Sequence, residues 1–105
     1  MMEFGMGRHV LSRAALGRAN QLVRDKKDWV GAGEYYALAA RNDPNNADAH
    51  YGLGMSYWAR SGERRDKALL DKAGAELQAA LKLDPKHAEA RRMYDELARR
   101  GWKPS

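Results

Sequence analysis

The 105-residue chain has no cysteine, which removes a disulfide framework, a thiolate zinc site and a cysteine nucleophile at once. The fold must stand on packing alone. Proline is nearly as scarce: only Pro44, Pro85 and Pro104 occur, each near the end of a helix-forming run, so none interrupts an element. No apolar stretch approaches the ~20 residues that a membrane helix needs, and the opening "MMEFGMGRHV" has no apolar signal core. The expected setting is soluble and cytoplasmic, with no membrane partner.

Charge of one sign is also never concentrated. The net charge is +5, from 19 Lys and Arg against 14 Asp and Glu. Residues 1–40 carry six basic and four acidic groups, residues 41–67 five and four, and residues 68–105 eight and six. A nucleic-acid binder gathers its positive charge into a stripe with aromatics interleaved. Charge spread this evenly reads as solvated helix faces, so nucleic acid is not the expected partner. A chain of this length makes one domain and buries roughly 60–70% of its unfolded surface.

What is abundant is Ala, Leu, Arg, Lys and Glu, the strong helix formers, without the alternation of β-branched residues that marks strands. The expected class is all-α. Apolar spacing predicts five helices: about Arg8 to Lys27, Trp29 to Arg41, Ala47 to Arg60, Arg65 to Leu83 and Ala88 to Arg100. Asn46 is placed to cap the third helix, and Ser61-Gly62 to stop it. Residues 1–7 are expected to be a flexible N-terminus and 102–105 a short tail.

Two phrases echo each other. "DPNNADAH" starts at Asp43 and "DPKHAEAR" at Asp84. In each, proline stops a helix, two polar residues turn the chain, and Ala-acid-Ala opens the next helix with its carboxylate near the positive end of the helix dipole. Each repeat is therefore a helix pair, with Ala32, Ala39, Gly54, Ala73 and Ala80 as the small residues where helices approach.

These residues resemble the tetratricopeptide repeat family, whose 34-residue unit is two antiparallel helices with Leu-Gly and Tyr on the first, Ala, an aromatic and Ala on the second, and a closing proline. Leu53, Gly54 and Tyr57, then Ala73, Leu77, Ala80 and Pro85, match the second unit; Ala32, Tyr36, Ala39 and Pro44 match the second helix of the first. Its first helix departs, with Ala19, Asn20 and Val23 where Leu, Gly and Tyr are usual. The resemblance covers about residues 13–101. It implies a right-handed array of two helix-turn-helix units, about 8–46 and 47–87, closed by a capping helix over 88–100. Pro44 and Pro85 lie 41 positions apart, seven more than the family period, so an insertion is expected within "SGERRDKALLD". Seven residues are close to two helical turns, which predicts a protruding charged helical end around Glu63 to Lys72; a loop is the competing outcome.

The resemblance implies a function as well: arrays of this kind bind peptides or partner helices on their concave face, acting as scaffolds or adaptors. Tyr51, Met55 and Trp58 fall on one face of the third helix and are expected to line that groove as an apolar anchor; packing against a neighbouring helix is the alternative. Gln21 and Arg24 on the first helix, with Arg92, Glu96 and Arg99 on the fifth, are placed around the stripe, where Arg forks hold a carboxylate or an acidic segment. Relatives that clamp a chaperone's C-terminal carboxylate use Lys, Asn, Asn, Lys and Arg. Gly17, Gln21, Gly52, Glu89 and Met93 stand at those places, so that activity is not expected.

Catalysis is not expected either. His9, His50 and His87 lie in three separate segments without ligand spacing, the serines lack a nucleophile-elbow context, and "GMG" and "GLG" lack the strand-turn-helix setting of a phosphate loop. Neither a metal nor a cofactor is implied. Two units and a cap are near the lower limit for a stable array, which keeps homo-oligomer assembly as the second functional expectation.

Overall fold

The computed structural model describes residues 4–64 and 66–104, which form five helices: α1 (Phe4–Lys26), α2 (Trp29–Asn42), α3 (Ala47–Ser61), α4 (Lys67–Leu83) and α5 (Ala88–Arg99). Among the described residues there is no strand. Every helix after the first begins on a side-chain cap, which answers one of the backbone N–H groups that a helix start leaves unpaired. Asp28 accepts from the Gly31 N–H, Asn46 from Ala49, Asp66 from Ala68 and Leu69, and His87 from Ala90.

The two echoed phrases fold into the same turn. The Asp43 N–H donates to the Ala39 carbonyl at 2.9 Å and the Asp84 N–H to that of Ala80 at 2.8 Å. One residue past each proline, the N–H of Asn45 or Lys86 donates to the Asp carboxylate at 3.2 or 3.1 Å. The N-caps Asn46 and His87 then accept from Ala49 and Ala90, both at 3.1 Å.

The helices pack mainly against their chain neighbours, α1 on α2, α2 on α3, α3 on α4 and α4 on α5, giving a body of 51 × 28 × 22 Å. Close approach depends on the small residues. Ala32, Ala39, Ala73 and Ala80 have no exposed surface, and Gly54 is buried. A methyl group on Gly52 would strike the Tyr36 ring, and one on Gly33 would strike the Ser56 side chain, so the α2–α3 contact is made over glycine on both sides. Tyr36 joins Ala19, Ala32 and Leu53 in the core of the first three helices; Leu77 and Leu97 centre the core of the last two.

Two boundaries differ from the sequence expectation. α1 begins at Phe4 rather than Arg8, so positions 4–7 are helical, while positions 1–3 of the expected flexible segment lie outside the described residues. α4 begins at Lys67, not within the expected helical end at Glu63: Gly62, Glu63 and Arg64 turn, and the Asp66 carboxylate caps the helix, which fixes its start. The extra length is thus shared between a longer connection and a 17-residue α4, against 14 residues in α2. The tail is also built in. α5 ends in a Schellman turn, Gly101 at φ 100 with its N–H donating to Ala98 and the Trp102 N–H to Leu97. That turn throws Trp102 back onto Gly74 of α4, where its indole N–H donates to the Asp71 carboxylate at 2.8 Å and its ring meets Tyr94 edge-on.

Candidate binding groove

Side chains from α1, α2, α3 and the start of α5 converge on a cavity of about 260 Å³ lined by Asn20, Val23, Arg24, Trp29, Tyr36, Asp48, Tyr51, His87 and Glu89. Its aromatic wall is assembled from two helices. Trp29 and Tyr36, on α2, stack at 6.1 Å between centroids, and Tyr51, on α3, stands perpendicular to Trp29 at 6.3 Å. The Tyr36 hydroxyl donates to the Asn20 side-chain carbonyl at 2.6 Å, tying the wall to α1. Behind Tyr51 lies the His87 imidazole, 5.1 Å away.

His87 is 8% exposed, and its two hydrogen bonds fix its tautomer. Nδ1 accepts from the Ala90 N–H, so the proton sits on Nε2, which donates to the Asp48 carboxylate at 2.8 Å. Asp48 thereby links the first turn of α3 to the cap of α5 across the groove. Both tyrosines keep their protons. Burial pushes the Tyr36 hydroxyl up to about 12, with Tyr51 and the Asp48 carboxylate adding to the rise. Burial also raises Tyr51, with Glu89 adding and Arg92 opposing.

The expected site residues divide. Arg24 and Tyr51 line this cavity, and Arg92 lies close enough to act on the Tyr51 hydroxyl. Met55 is half-buried one turn along α3 and packs against none of the three buried clusters among the described residues. Gln21 is exposed and accepts from Arg18 at 3.3 Å, outside the lining. Glu96 is taken up by Arg99 and Arg100 on its own helix; hydrogen bonds from Arg100 and then Arg99 hold its carboxyl below the usual range.

Trp58 corrects the expectation of one continuous stripe. It lines a separate cleft of about 780 Å³ with Leu70, Leu97, Trp102 and Lys103, and Arg100 stacks over its ring at 5.6 Å. Seven residues along a helix are ~10 Å, and over that distance the neighbours of α3 change from His87 and Glu89 at the start of α5 to Leu97, Arg100 and the tail.

Asn20, Val23, Trp29, Tyr36, Asp48, His87 and Glu89 are the lining residues that sequence reasoning did not assign to the site. Tyr36 was visible as core, Asp48 and Glu89 as carboxylates at helix starts, and His87 only as an isolated histidine. Ser12 donates to the Ala39 carbonyl and Ser61 to that of Trp58. His50 bridges Glu76 and the Pro44 carbonyl and is not among the residues that line the groove. No group of three metal-ligating side chains converges among the described residues, and no helix among them is long and apolar enough to cross a membrane. No protein-family model matches the chain, and it matches no curated protein and no solved structure.

Proposed function

We propose that the chain is a non-catalytic binding module, a two-unit array of tetratricopeptide type with α5 as its cap, that holds a peptide or partner helix in the groove of α1, α3 and α5. One observation carries this reading: residues from four helices converge on an aromatic-walled cavity open to solvent, although every buried polar side-chain atom among the described residues already has a hydrogen-bond partner. Within the aromatic wall Tyr36 is core and bonded to Asn20, whereas Trp29 and Tyr51 are only partly buried, so the wall keeps ring surface open to the cavity. It offers large contact area at low entropy cost, the property that makes Tyr and Trp binding anchors. Met55 follows Tyr51 by one turn on α3, and Arg24 is on the cavity lining.

Peptides selected from a displayed library against the wild-type chain should bind a Tyr51→Ala variant at least tenfold more weakly, while far-UV circular dichroism shows the variant still helical at the binding temperature. Equal affinity for both proteins would place binding elsewhere, and a selection yielding no binder would refute the module.

A second reading, assembly with another copy of the chain, is favoured by the apolar side chains left open on the outer side of α1 and α2: Val10 is 65% exposed, Leu11 54% and Leu38 37%. A molecular mass by light scattering that rises with concentration supports it; a monomer at every dilution removes it.

A further inference from the structure

We infer that the cavity of Trp29, Tyr36 and Tyr51 receives a cationic side chain, the lysine or arginine of a bound peptide. The inference rests on the groove reading above and names the ligand chemistry of that same site. The sequence taken alone pointed to a carboxylate or acidic segment held by Arg24, Arg92 and Arg99; the geometry reverses the sign.

Three features do so. The aromatic rings meet at right angles, Trp29 against Tyr51, so a group entering the cavity meets more than one π-face, and π-faces carry negative charge that attracts ammonium and guanidinium groups. Both phenols remain neutral donors while two carboxylates, Asp48 and Glu89, stand on the lining, against one guanidinium, Arg24. Arg24 itself lies 3.6 Å from the Asp25 carboxylate, and Arg92 acts on Tyr51 in opposition to Glu89.

The groups that would draw an anion are already committed. The starts of α3 and α5 face this cavity, but the Ala49 N–H is bound by Asn46 and the Ala90 N–H by His87, and Asp48 and Glu89 occupy the two first turns. His87 cannot offer a proton on Nδ1, because that nitrogen accepts a hydrogen bond. At about 260 Å³ the space suits one extended side chain rather than a folded ligand.

The test is a titration followed by NMR at the Trp29 indole and the Tyr51 ring, using four blocked amino acids: N-acetyl-lysine amide, N-acetyl-arginine amide, N-acetyl-norleucine amide and N-acetyl-glutamate amide. The lysine or arginine probe should shift both signals at millimolar concentration, the norleucine and glutamate probes should not, and Tyr51→Leu should weaken the response about tenfold. Arg24 and Glu89 give the sign, since both are exposed and lie outside the buried core: R24Q should tighten the cationic probe about threefold and E89Q weaken it by a similar factor. Preference for the glutamate probe, weakening by R24Q, or no response to any probe overturns the inference. Tyr51-dependent binding of a selected peptide would then still stand, so the groove can survive the loss of its proposed ligand chemistry.

Discussion

Aligned on Pro44 and Pro85, α2 and α4 place the same small residues at the same points, Ala32 with Ala73, Gly33 with Gly74, and Ala39 with Ala80, yet the two helices use that room differently. Gly33 makes space for Ser56, a residue of the next helix, whereas Gly74 makes space for Trp102, which arrives from the tail after the Schellman turn. The large residue between them differs too: Tyr36 in the first half, Leu77 in the second. The first half is closed by a phenol locked between helices, seated on Gly52 and bonded to Asn20. The second is closed by an aliphatic core with an indole laid over it. A repeat can thus conserve where the backbone needs room while leaving open what fills it.

The sharpest break in this comparison is a methyl group on each glycine. At Gly52 the new Cβ would collide with Tyr36, which is 3% exposed and fixed by its hydrogen bond, so neither partner has anywhere to go. Gly52→Ala should cost about 3 kcal/mol, the upper end for overpacking. At Gly74 the collision is with Trp102, whose segment can lift away from α4, and Gly74→Ala should cost about 1 kcal/mol. Urea denaturation of the two variants gives the ratio. Equal losses would show that the tail is held as firmly as a helix.

Much of this was legible in the sequence, for identifiable reasons. Helix identity followed from apolar spacing and composition, and the paired turns from a repeated Asp-Pro phrase whose backbone chemistry is local. The start of α4 was misplaced because the capping power of Asp66 competes with the helix propensity of the residues before it. The groove was half visible. Arg24 and Tyr51 could be placed by helical phase, but Trp29, His87 and Glu89 join them only through the angles at which separate helices cross, which no local pattern encodes. Trp58 and Tyr51 part for the same reason, lining two clefts rather than one, since phase along α3 says which face a side chain occupies and not which neighbour shelters it.

Alkali should separate the halves next. The Tyr36 hydroxyl is pushed up to about 12 from an ordinary value of 10.0. The unfolded chain therefore loses this proton first. Stability from the neutral, buried phenol is fully present below pH 10 and drains away as pH rises toward 12, by roughly 3 kcal/mol in all. The Leu77 half has no such group at its centre. Tm followed across that range should fall for wild type and less steeply for Tyr36→Leu, after correction for the lower starting stability of the variant. Parallel curves would mean that Tyr36 ionises without leaving its seat, and that the Asn20 contact does not hold it.

The smallest expected effect distinguishes the two turns, which share a backbone and differ in their caps. Asn46→Ala removes one side-chain acceptor from the start of α3 and should cost about 1 kcal/mol. His87→Ala removes the equivalent acceptor from α5 and, in addition, the Nε2 contact to Asp48 that joins α5 to α3. Asp48 is 71% exposed and water replaces most of that bond, so the added loss is only a few tenths of a kcal/mol. His87→Asn restores the acceptor but cannot reach Asp48 in the same way. It should recover most of the stability while leaving the start of α5 free to shift against Tyr51. Hydrogen exchange at Ala90 and the ring shifts of Tyr51 report those two properties separately: the first should return to wild type in His87→Asn, and the second should not. If both return, the histidine is an interchangeable cap, and the second half of the repeat differs from the first in its filling alone.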